Sequence, residues 1–271
     1  MGRSDFHLEK WYLDFVGRNG EIMIFYAAKL SFKSITVHYA SWINYQTQSG
    51  LKVESHFRHV NLPEKKGNLI TWKNDAFQIS GSWQAISTPI QARIVEDHQG
   101  YLDWNCFQPA SNVQLKIKDK TLEGTGYAEL LTLTTYPWNI PMNHLRWGRF
   151  HSFQDTLVWI ELRGDQKQQW VWLNRKRLSE CTIENDQLSS TEEGFSLTFD
   201  RGIVLESEKK IGSVVKNILR FIPGFNHLMN QNFLTATNHK WFSKCEFQKK
   251  GCSTVQGSAI HEWVNFNSDT P

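Results

Sequence analysis

Gly124-Thr125-Gly126-Tyr127-Ala128-Glu129 recurs 133 positions later as Gly257-Ser258-Ala259-Ile260-His261-Glu262, and each copy runs on into an apolar strand tail. A second pair of segments, Asn19-Gly20-Glu21-Ile22-Met23-Ile24-Phe25-Tyr26 and Phe153-Gln154-Asp155-Thr156-Leu157-Val158-Trp159-Ile160, repeats at nearly the same offset. Both offsets are about half of the 271-residue chain, so the sequence reads as a tandem duplication. The segments around them alternate apolar and polar residues: Glu21 to Ala27, Ser34 to Ile43, Gln91 to Asp97, Val113 to Lys118, Thr156 to Leu162, Gln169 to Leu173 and Phe195 to Phe199. Period-two alternation places apolar side chains on one face of a strand. Turn residues separate the runs at Arg18-Asn19-Gly20, Lys73-Asn74-Asp75, Gln99-Gly100 and Arg201-Gly202. The fold class that follows is all-β, a sandwich or an up-and-down barrel rather than α/β.

Two units of this size match lipocalin-type antiparallel β-barrels, which are closed enough to lack edges and wide enough for one small ligand. Tyr136-Pro137-Trp138-Asn139-Ile140-Pro141 supplies the junction, because its two prolines forbid helix and interrupt a strand ladder. The domains expected are 1–138 and 139–271. Beyond the junction, Leu145 to Phe150 and Leu157 to Leu162 carry apolar groups at both parities, the mark of strands covered on both faces. One stretch breaks the pattern. Val214, Val215, Ile218, Leu219 and Ile222 fall at helical spacing between an N-cap at Ser213 and a stop at Pro223-Gly224, so one short inserted helix is predicted over 213–222. Lys209, Lys210, Lys216 and Arg220 make its surroundings basic, which suits either peripheral contact with anionic lipid or a cap on a barrel mouth.

Composition narrows the function classes. Hydrophobic residues make up 40% and charged residues 21%, the balance of a folded chain with a sizeable core. A net charge of +3 is too small and too scattered to bind nucleic acid. The N-terminus lacks the apolar core of a signal peptide and no run is long enough to span a membrane, so a soluble cytoplasmic protein is expected. Without a CxxC pair, and with His56 and His59 on opposite faces of a regular strand, no metal is expected. Cys106 and Cys181 stand alone, and Cys245 and Cys252 flank a turn at Lys249-Lys250-Gly251, across which they could face each other; buried free thiols are the reading preferred for a chain without an export signal. Neither a G-x-S-x-G elbow nor a Walker loop occurs, which removes the common hydrolase and nucleotide-binding readings.

Gly126-Tyr127-Ala128-Glu129, Pro137-Trp138-Asn139-Ile140-Pro141, Leu145-Arg146-Trp147-Gly148-Arg149-Phe150 and Val158-Trp159-Ile160-Glu161 together resemble the centre of the hydroxyneurosporene synthase family. That family contains carotenoid hydratases and is similar to tocopherol cyclase and to lipocalin-like Diels–Alderases. The resemblance implies two tandem lipocalin-like (calycin) barrels and an apolar, isoprenoid-like substrate handled by acid protonation, with no cofactor.

Such chemistry needs an acid to protonate a double bond, aromatic faces to stabilise a cation and an apolar wall. Asp14, Asp103, Glu129, Glu161 and Glu262 are the candidate acids, and Trp11, Trp104, Trp147 and Trp159 the candidate walls. Tyr127 and Glu129 share one strand face, as do Trp147, Arg149 and His151. The catalytic group predicted is therefore Glu129, Arg149 and His151, with Tyr127, Trp147, Trp159, Glu161 and Trp104 binding the substrate. Desolvation favours the protonated form of Glu129 and an adjacent guanidinium the ionised form. The alternative for Glu129 with Arg149 or Arg146 is a buried structural pair. A non-catalytic lipid or pigment carrier on the same fold needs no acid at all, and a carbohydrate-binding module would need exposed tryptophan faces.

Overall fold

The computed structural model describes residues 5–57, 60–210 and 235–266. The chain forms two compact units, Met1–Ile140 and Pro141–Pro271. The first contains β1 (Phe6–Gly17), β2 (Ile22–Phe32), β3 (Ile35–Gln46), β4 (Gly50–His56), β5 (Glu64–Lys66), β6 (Leu69–Asn74), β7 (Ile79–Ala85), β8 (Ile90–Glu96), β9 (Tyr101–Ile117) and β10 (Lys120–Leu133). The second contains β11 (His144–Ser152), β12 (Thr156–Arg163), β13 (Lys167–Leu173), β14 (Lys176–Leu178), β15 (Thr182–Ile183), β16 (Gln187–Ser190), β17 (Phe195–Phe199), β18 (Ile203–Lys210), β19 (Thr237–Lys249) and β20 (Val255–Asn265). All pairings are antiparallel.

The two sheets have one topology. In the first the order is β4-β3-β2-β1-β10-β9-β7-β6-β5, with β8 on β9; in the second it is β14-β13-β12-β11-β20-β19-β17-β16-β15, with β18 on β19. The motif strands β10 and β20 therefore occupy equivalent central places, and register extends the equivalence to residues. Gly124 pairs with Gly17 and Gly257 with Ser152, so Glu129, opposite Tyr12, corresponds to Glu262, opposite Trp147.

Each sheet curls around its own core. Phe25 on β2 packs against Trp72 on β6 and Trp83 on β7, with ring centroids 5.6 and 6.0 Å apart, although four strands lie between β2 and β6 in the sheet order. In the second unit, Trp159 on β12 stacks on Phe199 on β17 at 5.7 Å. Alternation does the sorting: β6 buries Ile70, Trp72 and Asn74 and exposes Leu69, Thr71 and Lys73. The first core is dominated by Trp11, Phe15, Phe25, Trp42, Trp72 and Trp83, and the second by Phe150, Trp159, Leu197 and Phe247. β11 and β12 are buried along most of their length on both faces.

The junction and the cysteines can be compared with expectation. Pro137 begins a one-turn 3-10 helix, Pro137–Asn139, because a proline is harmful inside a helix but harmless at its first position, where no N–H bond is required. Cys245 is buried and lies opposite Gly257, Cys252 is exposed in the turn, and all four cysteines are free. The predicted helix over 213–222 lies outside the described residues, as do Arg58 and His59. Among the described residues no helix is long and apolar enough to cross a membrane.

Candidate functional site

The core of the first unit uses one face of β1, β9 and β10, which leaves Tyr12, Asp14, Trp104, Cys106, Tyr127 and Glu129 on the other. That other face is also dry: Asp14, Cys106 and Tyr127 are fully buried, and Glu129 is 8% exposed. A β-bulge displaces the β9–β10 register between Gly126 and Glu129, with Pro109 in the facing strand where no N–H is needed for the ladder. The extra residues lie on β9 between Cys106 and Ser111, so Cys106 rather than Gln108 comes opposite Glu129, while β10 keeps a regular register with β1, where Tyr127 pairs with Asp14.

Glu129 Oε2 accepts hydrogen bonds from Trp104 Nε1 and Tyr127 Oη. Tyr12 Oη donates to Asp14 Oδ2 at 3.3 Å, and the Tyr12 ring meets Tyr26 and Tyr127 edge-on. Burial pushes the Tyr127 phenol well above the ordinary tyrosine range, with the neighbouring Cys106 and Glu129 charges adding to the shift. Burial likewise pushes the Cys106 thiol well up, so both groups keep their protons. The result is a Glu129 carboxyl group fixed by two neutral donors on a buried, largely aromatic face that also holds Asp14.

The eight predicted site residues fall into three groups. Glu129, Tyr127 and Trp104 come together as described. Trp147, Arg149 and His151 share one face of β11 in the second unit and are 7%, 0% and 8% exposed. Trp159 and Glu161 are on the opposite face of that sheet: Trp147 pairs with Ile160, whereas Trp159 pairs with Gly148, over which its ring lies. Trp147 and Trp159 therefore do not line one cavity, because residues paired across a ladder share a face and these two belong to pairs of opposite parity. Glu161 is fully buried and accepts from Arg163 Nε at 2.5 Å and Gln169 Nε2 at 2.5 Å, with Lys167 Nζ at 3.4 Å.

Of the other candidate acids, Asp103 forms a bidentate pair with Arg93 in a partly exposed place. Glu262, the counterpart of Glu129, is 2.7 Å from Lys240 Nζ, which also reaches Glu206 at 3.2 Å. The Lys240 side chain is 1% exposed. Its burial was not legible from His239-Lys240-Trp241, where alternation assigns the lysine to solvent. Among the described residues no three His, Cys, Asp or Glu side chains converge as a metal site.

No protein-family profile matches the chain, and no curated protein matches it in sequence. Solved structures do match in fold. Kievitone hydratase from Nectria haematococca superimposes with a TM-score of 0.58 at 10% identity, covering 97% of this chain and 90% of its own. CghA with Sch210972 gives 0.57 at 11% identity, covering 98% and 90%. A protein of Nitrosomonas europaea described as an AttH gives 0.56 at 11% identity, covering 98% and 94%. At such identities the likeness is one of fold.

Proposed function

We propose that this chain is an acid–base enzyme of the hydratase or cyclase type acting on an apolar, unsaturated small molecule, with Glu129 moving the proton. The observation that carries the reading is the buried Glu129 carboxylate held by Tyr127 and Trp104 on a dry aromatic face. In a hydration, the protonated carboxyl gives H⁺ to one alkene carbon, water adds its oxygen to the other, and the surplus proton returns to the carboxylate. In a cyclisation a proton is added to one double bond, a second double bond closes the ring on the resulting cation, and a different proton leaves a carbon beside the new cation for the carboxylate. The faces of Trp104 and Tyr12 can stabilise the intermediate cation. Tyr127 keeps the carboxylate oriented and remains a donor throughout.

The shared fold with a kievitone hydratase supports the reaction class, and the resemblance of the central segment to the hydroxyneurosporene synthase family supports an isoprenoid-like substrate. The test is incubation with a panel of apolar polyenes in oxygen-18 water, followed by mass spectrometry for a labelled alcohol or a cyclised isomer. Glu129→Gln keeps the shape and the two incoming hydrogen bonds, so it should fold normally and lose roughly 100- to 10,000-fold in rate. Unchanged turnover in a folded Glu129→Gln protein would remove Glu129 from the reaction. A polyene retained tightly without conversion would assign the chain to carriage instead.

A further inference from the structure

The inner face of the second unit changes character toward one end of β11, β19 and β20. Below, it is packed with Phe150, Leu197 and Phe247. Above, His144, Trp263, His239 and Trp241 form a row of stacked rings, with successive centroids 6.1, 5.8 and 5.8 Å apart and planes within 26°, 25° and 11°. The row continues inward: His261 lies 5.3 Å from Trp241 and 4.6 Å from Phe199, which stacks on Trp159. Ladder pairs Trp263 with His239 and His261 with Trp241 put these rings on one face. The outer four rings are only half-buried, whereas His261 is buried.

Charge accompanies the rings. Arg146 pairs across the ladder with both Trp263 and Glu161, Arg163 with His144, and Lys167 with Arg163. Against these three cations stand two carboxylates: Glu161, already matched by Arg163 and Lys167, and the exposed Glu184. The Arg146 Nη atoms donate to Ile183 O at 2.6 Å and Asn185 Oδ1 at 2.9 Å, both neutral acceptors. Its Nε is buried and has no hydrogen-bond partner among the described residues, and the same holds for His144 Nδ1. A buried donor left without an acceptor is costly, more so on a charged group. Burial pushes His261 down to about 3 and, aided by Arg163 and Arg146, lowers His144 as well. These imidazoles are thus neutral planar rings at physiological pH.

We propose that this face binds a planar, conjugated anion of small-molecule size, its rings against the half-buried edge of Trp263, His239 and Trp241 and its anionic oxygen on Arg146 Nε. A cationic ligand would meet the excess of positive charge, and an uncharged one would leave Arg146 Nε unmatched. The site stands independently of the Glu129 reaction.

Titration of the full chain with anilinonaphthalene sulfonate, and separately with the uncharged phenylnaphthylamine, tests this through energy transfer from tryptophan. The sulfonate should saturate a single site and bind roughly tenfold or more tightly than the uncharged probe, the worth of one charge-assisted hydrogen bond. Arg146→Gln should abolish that preference, Trp263→Leu should weaken both probes, and Glu129→Gln should alter neither. Should Arg146→Gln unfold through loss of its bonds to Ile183 and Asn185, the wild-type protein still decides: added salt must weaken the sulfonate alone. Equal affinity for the two probes, an unchanged ratio in a folded Arg146→Gln protein, or salt-independent binding of the sulfonate would each overturn the proposal.

Discussion

The motif glycines show how single residues hold the duplication in place. A Cβ on Gly124 would lie 2.7 Å from the Phe15 ring and 2.2 Å from Val16 O; on Gly257 it would lie 2.4 Å from the Phe150 ring and 2.5 Å from His151 O. Phe15 and Phe150 occupy equivalent positions, so each unit drops a ring over its motif glycine. Gly124→Ala and Gly257→Ala should each cost about 1–3 kcal/mol by overpacking, read as a lower urea midpoint with an unchanged slope. A control such as Gly67→Ala, where nothing lies within 4 Å, instead tests the strain of its φ of +59°. His261 carries a pH prediction. Its folded pKa, about 3, lies below the ordinary histidine value near 6.5, so the unfolded chain binds the proton first as pH falls. Its contribution is complete above about pH 6.5 and is lost toward pH 3, at about 1.4 kcal/mol per pH unit. Chemical denaturation of His261→Phe across that interval should show a shallower loss than wild type; identical slopes would place the acid sensitivity elsewhere.

At the scale of elements, the sheet order separates protected strands from vulnerable ones. β1 and β10, like β11 and β20, are central and paired on both sides, while β4 ends the first sheet and is exposed on both faces over most of its length. Hydrogen exchange should therefore be slowest in β1, β10, β11 and β20 and fast in β4, which buries too little apolar surface to resist local opening. Protection of β4 equal to that of β1 would contradict this ranking. Strand identity and parity were readable from alternation, and so was the shared face of Tyr127 and Glu129. The bulge that brings Cys106 opposite Glu129, and the opposite faces of Trp147 and Trp159, depend on the register between strands. Register is a property of two segments at once and is absent from either one alone.

On the scale of the whole molecule, each unit closes a core drawn from its own residues. Residues 1–140 produced alone should accordingly give a β-type circular dichroism spectrum and a cooperative unfolding transition. A random-coil spectrum would show that its core is insufficient by itself. The curl that makes these cores is carried by pairs distant in sequence, such as Phe25 with Trp72 and Gln169 Nε2 with Cys181 O at 2.9 Å, and no local pattern announces them.

The repeat at 133 positions, the alternation and the turn residues were sufficient to establish an all-β chain with two equivalent units, because each is a local signal written in period and spacing. The candidate site divided differently. That Glu129 and Tyr127 cooperate follows from two-residue parity, but that Trp104 joins them across β9, that Lys240 is buried between two carboxylates, and that seven rings line up from His144 to Trp159 were decided only when strands paired. Burial and cross-strand neighbours are set by the curled sheet as a whole, so the chemistry of a side chain here belongs to the fold rather than to its place in the sequence.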